Sequence, residues 1–172
     1  MREVFCGVIS QGMAPYFYME QLICTFFGHR EINITDRLYS ATSAEIMKAV
    51  EIGYRLFYFS GYGAFDALCH KIVTKAKNEF PNLNIKRIYC VSRERYLHKS
   101  VRYFKREDYD DIIYLTPSFD GWYKSIYFRN CAMIDNSNLV IFYAENSEQS
   151  GAYKTYKYAK KRNKQLINLW EN

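Results

Sequence analysis

Several polar residues that could bind a ligand or carry out chemistry lie in short loops that follow apolar runs. The first loop contains Gly28, His29, Arg30 and Glu31. Its glycine permits a ligand to approach the backbone closely, and Arg30 offers a planar guanidinium for a phosphate. We therefore regard Gly28, His29 and Arg30 as candidate ligand-binding residues and Glu31 as a candidate acid or base. The simpler alternative is an ordinary turn with solvated charges.

The second loop runs from Ser60 to Asp66 and contains the glycines Gly61 and Gly63. Backbone N–H groups at a turn into a helix favour an anion, so the loop predicts a phosphate site formed by Gly61 and Gly63. Tyr62 is a candidate to stack on a base. Asp66 lies in the first helical turn, where its ordinary role is capping. Its alternative roles are hydrogen bonding to a ribose hydroxyl and general acid–base catalysis.

Two later segments carry further candidates. Arg129 and Asn130 lie within a predicted helix and could bind phosphate and sugar or base, although a solvated helix face explains them too. The last helix begins at Gly151 after Ser150, and Thr155 follows one turn later. The positive end of a helix dipole favours an anion at such a start, which is also an ordinary helix N-terminus.

Two other ionisable residues, Asp135 and His70, give weaker evidence for a catalytic role. Asp135 is another candidate acid or base, because it begins a polar run of Asp, Asn and Ser. His70 is more typical of a packed histidine than of a base. The three histidines are scattered without ligand spacing, so no metal site is predicted. Five cysteines with no C-x-x-C motif indicate reduced core thiols in a cytoplasmic protein.

Length and composition limit the classes that the chain can belong to. Its 172 residues suit one domain, and 49% apolar residues are enough for a full core. No apolar run approaches the ~18 residues of a membrane span, so a membrane partner is not expected. The net charge of +6 comes entirely from residues 154–164, which hold six basic residues and no acid. The charge by itself therefore does not indicate a nucleic-acid-binding protein.

Short apolar runs alternate with longer amphipathic ones along most of the chain. The predicted strands are Leu22–Phe27, Arg55–Ser60, Ile85–Val91, Asp111–Leu115, Leu139–Tyr143 and Gln165–Leu169. The predicted helices are Thr35–Ile52, Ala64–Glu79, Lys99–Arg106, Gly121–Ile134 and Gly151–Arg162. This alternation predicts a single α/β, Rossmann-like domain, with a mostly parallel sheet of about six strands and helices on both faces. Ligands of such sheets bind beyond the carboxyl ends of the strands, where the polar loops lie.

The first 18 residues do not share this pattern. We expect residues 1–18 to be an irregular extension, or to precede a natural start at Met19, with the domain spanning residues 19–172. A secretory signal is not favoured, because Glu3 and the absence of a small-residue cleavage site argue against one.

From about Ile23 to Leu169 the chain resembles the SLOG superfamily of Rossmann-like proteins, which includes DprA and the LOG-type cytokinin-activating enzymes. The segments CTFFGHREI and GYGAFDA are most similar to its small bacterial YpsA/YoqJ-like branch. SGYGAFDALCH resembles the DprA motif S-G-x-A-x-G-I-D-x-x-A-H, and residues 129–159 resemble the order R-N-x-x-I, then E, then S-G-[ST]. The resemblance implies a pocket for a nucleotide or nucleotide derivative, with no further cofactor, formed by Gly61, Gly63, Arg129, Gly151 and Thr155.

Three functions are compatible with these observations. We favour binding of a nucleotide-derived small molecule by a sensor or sequestering protein. The second is cleavage of a nucleotide N-glycosidic bond, but LOG-type enzymes carry a catalytic Glu where this chain has Tyr158. A tyrosine with a pKa near 10 does not replace that carboxylate, so Asp66, Asp135 or Glu31 would have to substitute for it.

The third function is DprA-like binding of nucleic acid. It would use the basic segment 154–164, where tyrosines lie between the lysines and could stack on bases. The lysine spacing is also that of an ordinary solvated helix face. Aromatic residues make up 18% of the chain, which would permit a homodimer interface without locating it.

Overall fold

A six-stranded parallel sheet forms the centre of the molecule, as the alternating sequence pattern predicts. The computed structural model describes residues 21–92, 105–115 and 122–171, and all six strands in these stretches run parallel. The strands are β1 (Ile23–Gly28), β2 (Leu56–Phe59), β3 (Lys86–Val91), β4 (Asp111–Tyr114), β5 (Leu139–Tyr143) and β6 (Gln165–Asn168). Their order in the sheet is β4-β3-β2-β1-β5-β6.

Helices cover both faces of this sheet. They are α1 (Asp36–Ile52), α2 (Ala64–Glu79), α3 (Trp122–Asp135) and α4 (Gly151–Lys161). One apolar cluster joins α1 and α2 to one face of the strands, and a second joins α3 and α4 to the opposite face. The described residues therefore have the predicted α/β architecture, consistent with a Rossmann-like domain.

Alternating side chains of the central strands supply the two halves of the core. Phe26 of β1 stacks on Phe57 and Phe59 of β2, with ring centroids 6.2 and 5.2 Å apart, on the face covered by α1 and α2. Phe27 points to the other face, where it packs against Phe142 of β5. Successive residues of a strand point to opposite faces, so one strand contributes to both halves.

Local sequence signals fix the ends of α1. Thr35 is its N-cap, and the Thr35 hydroxyl accepts a hydrogen bond from the Leu38 N–H at 3.2 Å. Gly53 follows the helix with a φ of +116°, and its N–H donates to the carbonyls of Ala49 and Val50. Only glycine adopts this backbone conformation without strain, so the helix ends where Gly53 follows it.

The strand order creates a crevice between β1 and β5. The chain places β2, β3 and β4 to one side of β1, then returns to place β5 and β6 on the other side. Gly28 and Tyr143 are paired in register at the carboxyl ends of β1 and β5. Connections leave these two ends towards opposite faces, and ligands of open parallel sheets bind at such a point.

Most element boundaries agree with the sequence prediction to within one residue. The predicted helix Lys99–Arg106 falls mainly outside the described residues, and Arg106–Asp108 forms a 3₁₀ turn. Residues 1–18 also lie outside them, so their separation from the domain stays a prediction. Within the described part of the chain, none of the helices is long and apolar enough to cross a membrane.

A charge cluster ties the β3–β4 edge of the sheet to α2. Both carboxylate oxygens of Asp110 accept hydrogen bonds from the Arg87 guanidinium at 3.1 Å, and the Arg87 N–H donates to Asp110 at 2.8 Å. Lys77 of α2 forms a further ion pair with Asp110. Despite partial burial, these hydrogen bonds hold the pKa of Asp110 well below its usual range.

We predict that Asp110→Asn lowers the free energy of unfolding by about 1–2 kcal/mol at pH 7, because it removes the charge-assisted hydrogen bonds. The carboxyl loses its proton more readily in the folded chain, so its stabilisation is full above about pH 4 and is lost on further acidification. Urea unfolding of the wild type and Asp110→Asn at pH 7 and pH 3 measures both effects. Glu51→Gln, at an exposed position of α1, is the matched control. A difference between Asp110→Asn and the wild type that grows on acidification would contradict this assignment.

Candidate functional site

A cavity of about 370 Å³ lies at the carboxyl ends of β1 and β2, between α3 and the start of α4. It borders the crevice that the strand order creates, through Gly28 at the end of β1 and Ser150 and Gly151 of the connection that follows β5. Its lining consists of Phe26, Phe27, Gly28, His29, Arg30, Ser60, Tyr62, Asp66, Ile126, Arg129, Asn130, Ser150, Gly151, Ala152 and Thr155. The volume is within the range of small-molecule sites, and the lining combines apolar, aromatic and charged groups.

Arg129 extends from α3 to the ends of two strands. Its side chain is buried, and its Nη1 donates to the carbonyl oxygens of Ser60 at 2.8 Å and Cys90 at 3.2 Å. Its Nε donates to Oδ1 of Asn130 at 3.1 Å. Among the described residues, Nη2 has no hydrogen-bond partner. Burial lowers the pKa of Arg129, but a guanidinium retains its charge in proteins. The cavity wall therefore carries a fixed positive charge with a free N–H donor.

Asp66 binds the turn that precedes its own helix. Its Oδ1 accepts hydrogen bonds from the Ser60 N–H at 3.0 Å and the Ser60 hydroxyl at 3.2 Å, and its Oδ2 accepts from the Gly61 N–H at 3.0 Å. The carboxylate therefore does not cap α2. Burial raises the pKa of Asp66 to about 6, and the hydrogen bonds together with the charge of Arg129 limit the rise.

The glycines of the second loop fit against neighbouring residues and do not line the cavity. Gly61 has a φ of +67°, and a Cβ there would lie 2.6 Å from the Tyr89 ring. Gly63 has a φ of +101°, and a Cβ there would lie 3.3 Å from Cα of Arg30. Since the Gly61 N–H is already bound by Asp66, this turn holds an anion of the protein itself where the sequence predicted a phosphate.

The start of α4 differs, because two of its N–H groups have no partner among the described residues. The Ser150 hydroxyl caps the helix by accepting from the Tyr153 N–H at 3.3 Å. Within the described part of the chain, the N–H groups of Gly151 and Ala152 have no partner. A Cβ at Gly151 would meet nothing within 4 Å, so the fold itself does not require glycine there. Helix N–H groups beside open space form a favourable position for an anion.

The mouth of the cavity contains a cation–aromatic pair and a histidine. The guanidinium of Arg30 lies 4.7 Å from the centre of the Tyr62 ring, and both side chains are exposed. His29 links β1 to the β5–α4 loop, because its Nε2 accepts a hydrogen bond from the Glu145 N–H at 2.9 Å. These groups offer a flat surface and polar atoms to a bound molecule.

The cavity brings together most of the ligand-binding residues that the sequence predicted. Those that line it are Gly28, His29, Arg30, Tyr62, Asp66, Arg129, Asn130, Gly151 and Thr155. Gly61 and Gly63 lie beside it without lining it. The Thr155 hydroxyl donates to the Gly151 carbonyl at 2.9 Å, so its contribution to the wall is mainly steric.

The candidate acids and bases are separated by the fold. Asp66 lines the cavity, whereas Asp135 and Glu31 do not. Asp135 accepts hydrogen bonds from the Tyr158 hydroxyl at 2.8 Å and from Nε of Arg162 at 2.7 Å. His70 packs between the rings of Phe59 and Tyr109, as expected for a core histidine.

Sequence reasoning missed two contributors to the site. Ser60, which the sequence predicts only as the end of a strand, donates its N–H and hydroxyl to Asp66 and accepts from Arg129 through its carbonyl oxygen. Trp170 packs against His29 with ring centroids 5.2 Å apart. The position of Ser60 between an aromatic strand and a glycine is a weak signal in the sequence. Nothing in the sequence indicates the role of Trp170.

Comparison with known proteins adds no assignment to this geometry. No protein-family model matches the chain, and a search of curated proteins finds no relative. The resemblance to the SLOG superfamily therefore stays a prediction. In the stretches that the structure describes, no group of three or more His, Cys, Asp or Glu side chains could hold a metal ion.

We predict that alanine substitution destabilises the fold at Gly61, which is packed against other residues, and leaves it unchanged at Gly151, which borders open space. Gly61→Ala should lower the free energy of unfolding by about 2–4 kcal/mol, through the left-handed backbone and overlap with the buried Tyr89 ring. Gly151→Ala should change it by less than about 0.5 kcal/mol, because alanine suits a helix and no atom blocks it. Chemical denaturation of both variants measures the difference. Equal destabilisation would contradict the assigned roles.

The raised pKa of Asp66 predicts a pH-dependent stability. The folded chain holds this proton more tightly, so the contribution is full below about pH 4 and is lost as the pH rises through about 6. The loss amounts to about 2–3 kcal/mol and is absent in Asp66→Asn. Carbon-13 NMR titration of the carboxyl measures the pKa in the wild type, and the exposed Asp36 is the internal control. An Asp66 midpoint below pH 4 would contradict the prediction.

Proposed function

We propose that the cavity binds a nucleotide or a nucleotide-derived small molecule, and that the protein acts as a sensor or sequestering protein for it. One observation carries this proposal. The cavity combines Nη2 of the buried Arg129 with the N–H groups of Gly151 and Ala152, none of which has a partner among the described residues. A fixed cation and a helix N-terminus facing one space suit a phosphate group.

The phosphate is best accommodated by Gly151, Ala152 and Arg129. The glycine turn of the second loop is a poorer choice, because the N–H groups of Ser60 and Gly61 already donate to Asp66 and that of Tyr62 to the Ser60 hydroxyl. Gly151 has no side chain, although a Cβ there would meet no other atom within 4 Å. Packing within the fold therefore does not explain why this position is glycine. A phosphate in contact with the helix backbone would explain it.

The remaining lining suits a sugar and a base. Oδ1 of Asn130 accepts from Arg129, so the amide can present its Nδ2–H₂ group as a donor. Tyr62, held beside Arg30, offers an aromatic face at the mouth for stacking. A volume of about 370 Å³ corresponds to about a dozen waters, which suits one nucleotide better than a dinucleotide enclosed in full.

Cleavage of an N-glycosidic bond is the second candidate function, and Asp66 is the residue that favours it. It lines the cavity, and its pKa of about 6 is close to neutral, as a general acid requires. However, both of its oxygens already accept hydrogen bonds from the loop. Asp135 and Glu31 lie outside the lining and offer no second carboxylate there. Binding without turnover is therefore the better-supported function.

Nucleic-acid binding is supported less well, because the basic segment is partly neutralised within the fold. Lys157 pairs with Glu148, and Arg162 pairs with Asp135. Lys164 donates to the carbonyl oxygens of Asp135 and Ser137 at 2.8 and 2.9 Å. Half of the six cations therefore have partners on the protein itself.

A thermal-shift panel tests the proposed function. It contains nucleoside monophosphates, ATP, GTP, NAD, ADP-ribose, cyclic ADP-ribose, inorganic phosphate and a short single-stranded DNA. A ligand at 100 times its Kd stabilises the fold by about 2.7 kcal/mol, which raises the Tm by about 5–10 °C. We expect Gly151→Val to abolish this shift while the Tm without ligand stays near that of the wild type, because its side chain enters the space assigned to phosphate. Lys154→Gln, exposed on the same helix outside the lining, should keep the shift.

The outcomes separate the three functions. The absence of a shift with every nucleotide would overturn the binding proposal. Free base accumulating with wild type, and not with Asp66→Asn, would establish the glycosidase instead. Stabilisation by DNA alone, weakening steeply with salt, would favour nucleic-acid binding.

A further inference from the structure

We propose that His29 determines specificity in this cavity by donating a hydrogen bond from its Nδ1–H to an acceptor on the sugar or base of the ligand. This role rests on the proposed function. It concerns recognition of the sugar or base, which the phosphate site does not determine.

The hydrogen bond to Glu145 fixes the tautomer of His29. A backbone N–H can only donate, and the Glu145 N–H lies 2.9 Å from Nε2 of His29. Nε2 must therefore carry a lone pair, and in a neutral imidazole the proton then lies on Nδ1. The ring thus presents a donor at Nδ1.

The fold also fixes the position of this ring. The His29 backbone N–H donates to the Tyr143 carbonyl at 3.2 Å, so both the backbone and the side chain of His29 bind the β5–α4 connection. The Tyr143 and Trp170 rings contact the imidazole edge-to-face, with centroids 6.4 and 5.2 Å away. A ring held by one hydrogen bond and two aromatic neighbours, on a backbone that is itself hydrogen-bonded, loses little entropy when it binds a ligand.

Trp170 is positioned in turn by an amide at the end of β6. The Asn168 side chain accepts from the Ala144 N–H at 3.1 Å and donates to the Ala144 carbonyl at 3.0 Å. Its Oδ1 also accepts from the Trp170 N–H at 3.3 Å. The end of β6 is therefore bound to β5 and supports the imidazole from outside the cavity, which makes Trp170 a positioning residue.

The Nδ1–H of His29 is available to donate a hydrogen bond to a ligand. Across the described ranges, Nδ1 has no hydrogen-bond partner, and His29 is a half-buried residue of the cavity lining. A partly buried donor without a partner is unfavourable once a ligand excludes water. A ligand with an acceptor at this position is therefore preferred over one with a donor or an apolar group there.

Two amide substitutions separate the ring nitrogens. The amide of Asn lies where Nδ1 lies and that of Gln lies where Nε2 lies, so His29→Asn keeps a donor for the ligand and His29→Gln keeps an acceptor for the Glu145 N–H. Calorimetric titrations of the wild type and both variants use adenosine and guanosine 5′-monophosphates, with inorganic phosphate as the control. NMR correlation of the imidazole nitrogens in the wild type without ligand identifies the tautomer.

We expect the Nδ1–H tautomer and a loss of nucleotide affinity of about 3- to 10-fold in His29→Gln, with most of the affinity kept in His29→Asn. Affinity for inorganic phosphate should be unchanged in both variants. His29→Asn should lower the Tm more than His29→Gln does, because it removes the acceptor of the Glu145 N–H.

Three results would overturn the role of His29: an Nε2–H tautomer, equal affinities in the two variants, or a loss of phosphate affinity that matches the nucleotide loss. Failure of the wild type to bind both nucleotides and phosphate would instead overturn the proposed function, and the recognition role with it. The NMR result decides the tautomer independently, so the two failures are distinguishable.

Discussion

The geometry of the cavity depends on Ser60, to which two buried charged side chains are hydrogen-bonded. Asp66 accepts hydrogen bonds from its N–H and hydroxyl, and Arg129 donates to its carbonyl oxygen. Burial of an ion is unfavourable unless hydrogen bonds replace its hydration, and here backbone groups provide them for both ions. Because Arg129 also binds the Cys90 carbonyl, the ends of β2 and β3 and the turn into α2 are held as one unit.

In this arrangement the glycine-rich turn binds a carboxylate of the protein itself. A turn with two glycines before a helix is a favourable anion site, and the anion that occupies it is the carboxylate of Asp66. The glycines are needed there for backbone conformation and for close packing against Tyr89 and Arg30. Among the described residues, the N–H groups of Gly151 and Ala152 at the start of α4 have no partner, and Gly151 borders open space. One anion position is thus used for folding, and the other is available for a ligand.

The sequence located most of the candidate site, because the strand–helix alternation places every loop after a strand at one edge of the sheet. It could not separate the roles within those loops. Asp66 and Asp135 have the same side chain and both were candidate acids or bases, yet Asp66 lines the cavity, whereas Asp135 binds Tyr158 and Arg162 at the far end of α4. Which partner a carboxylate finds depends on helix packing, which no local pattern specifies.

Within the described ranges, what the sequence determined by itself is the six strands, the four α-helices, their boundaries and the edge of the sheet where the polar loops lie. Those features depend on alternation, helical periodicity and caps, which involve residues at most a few positions apart. Only the tertiary structure decided which donors are already used and which are free. The bond from Arg129 to Ser60 spans 69 residues, and the bond from Glu145 to His29 spans 116. Each of these hydrogen bonds determines which donor atoms of the side chain stay available. Each forms only when distant segments pack together.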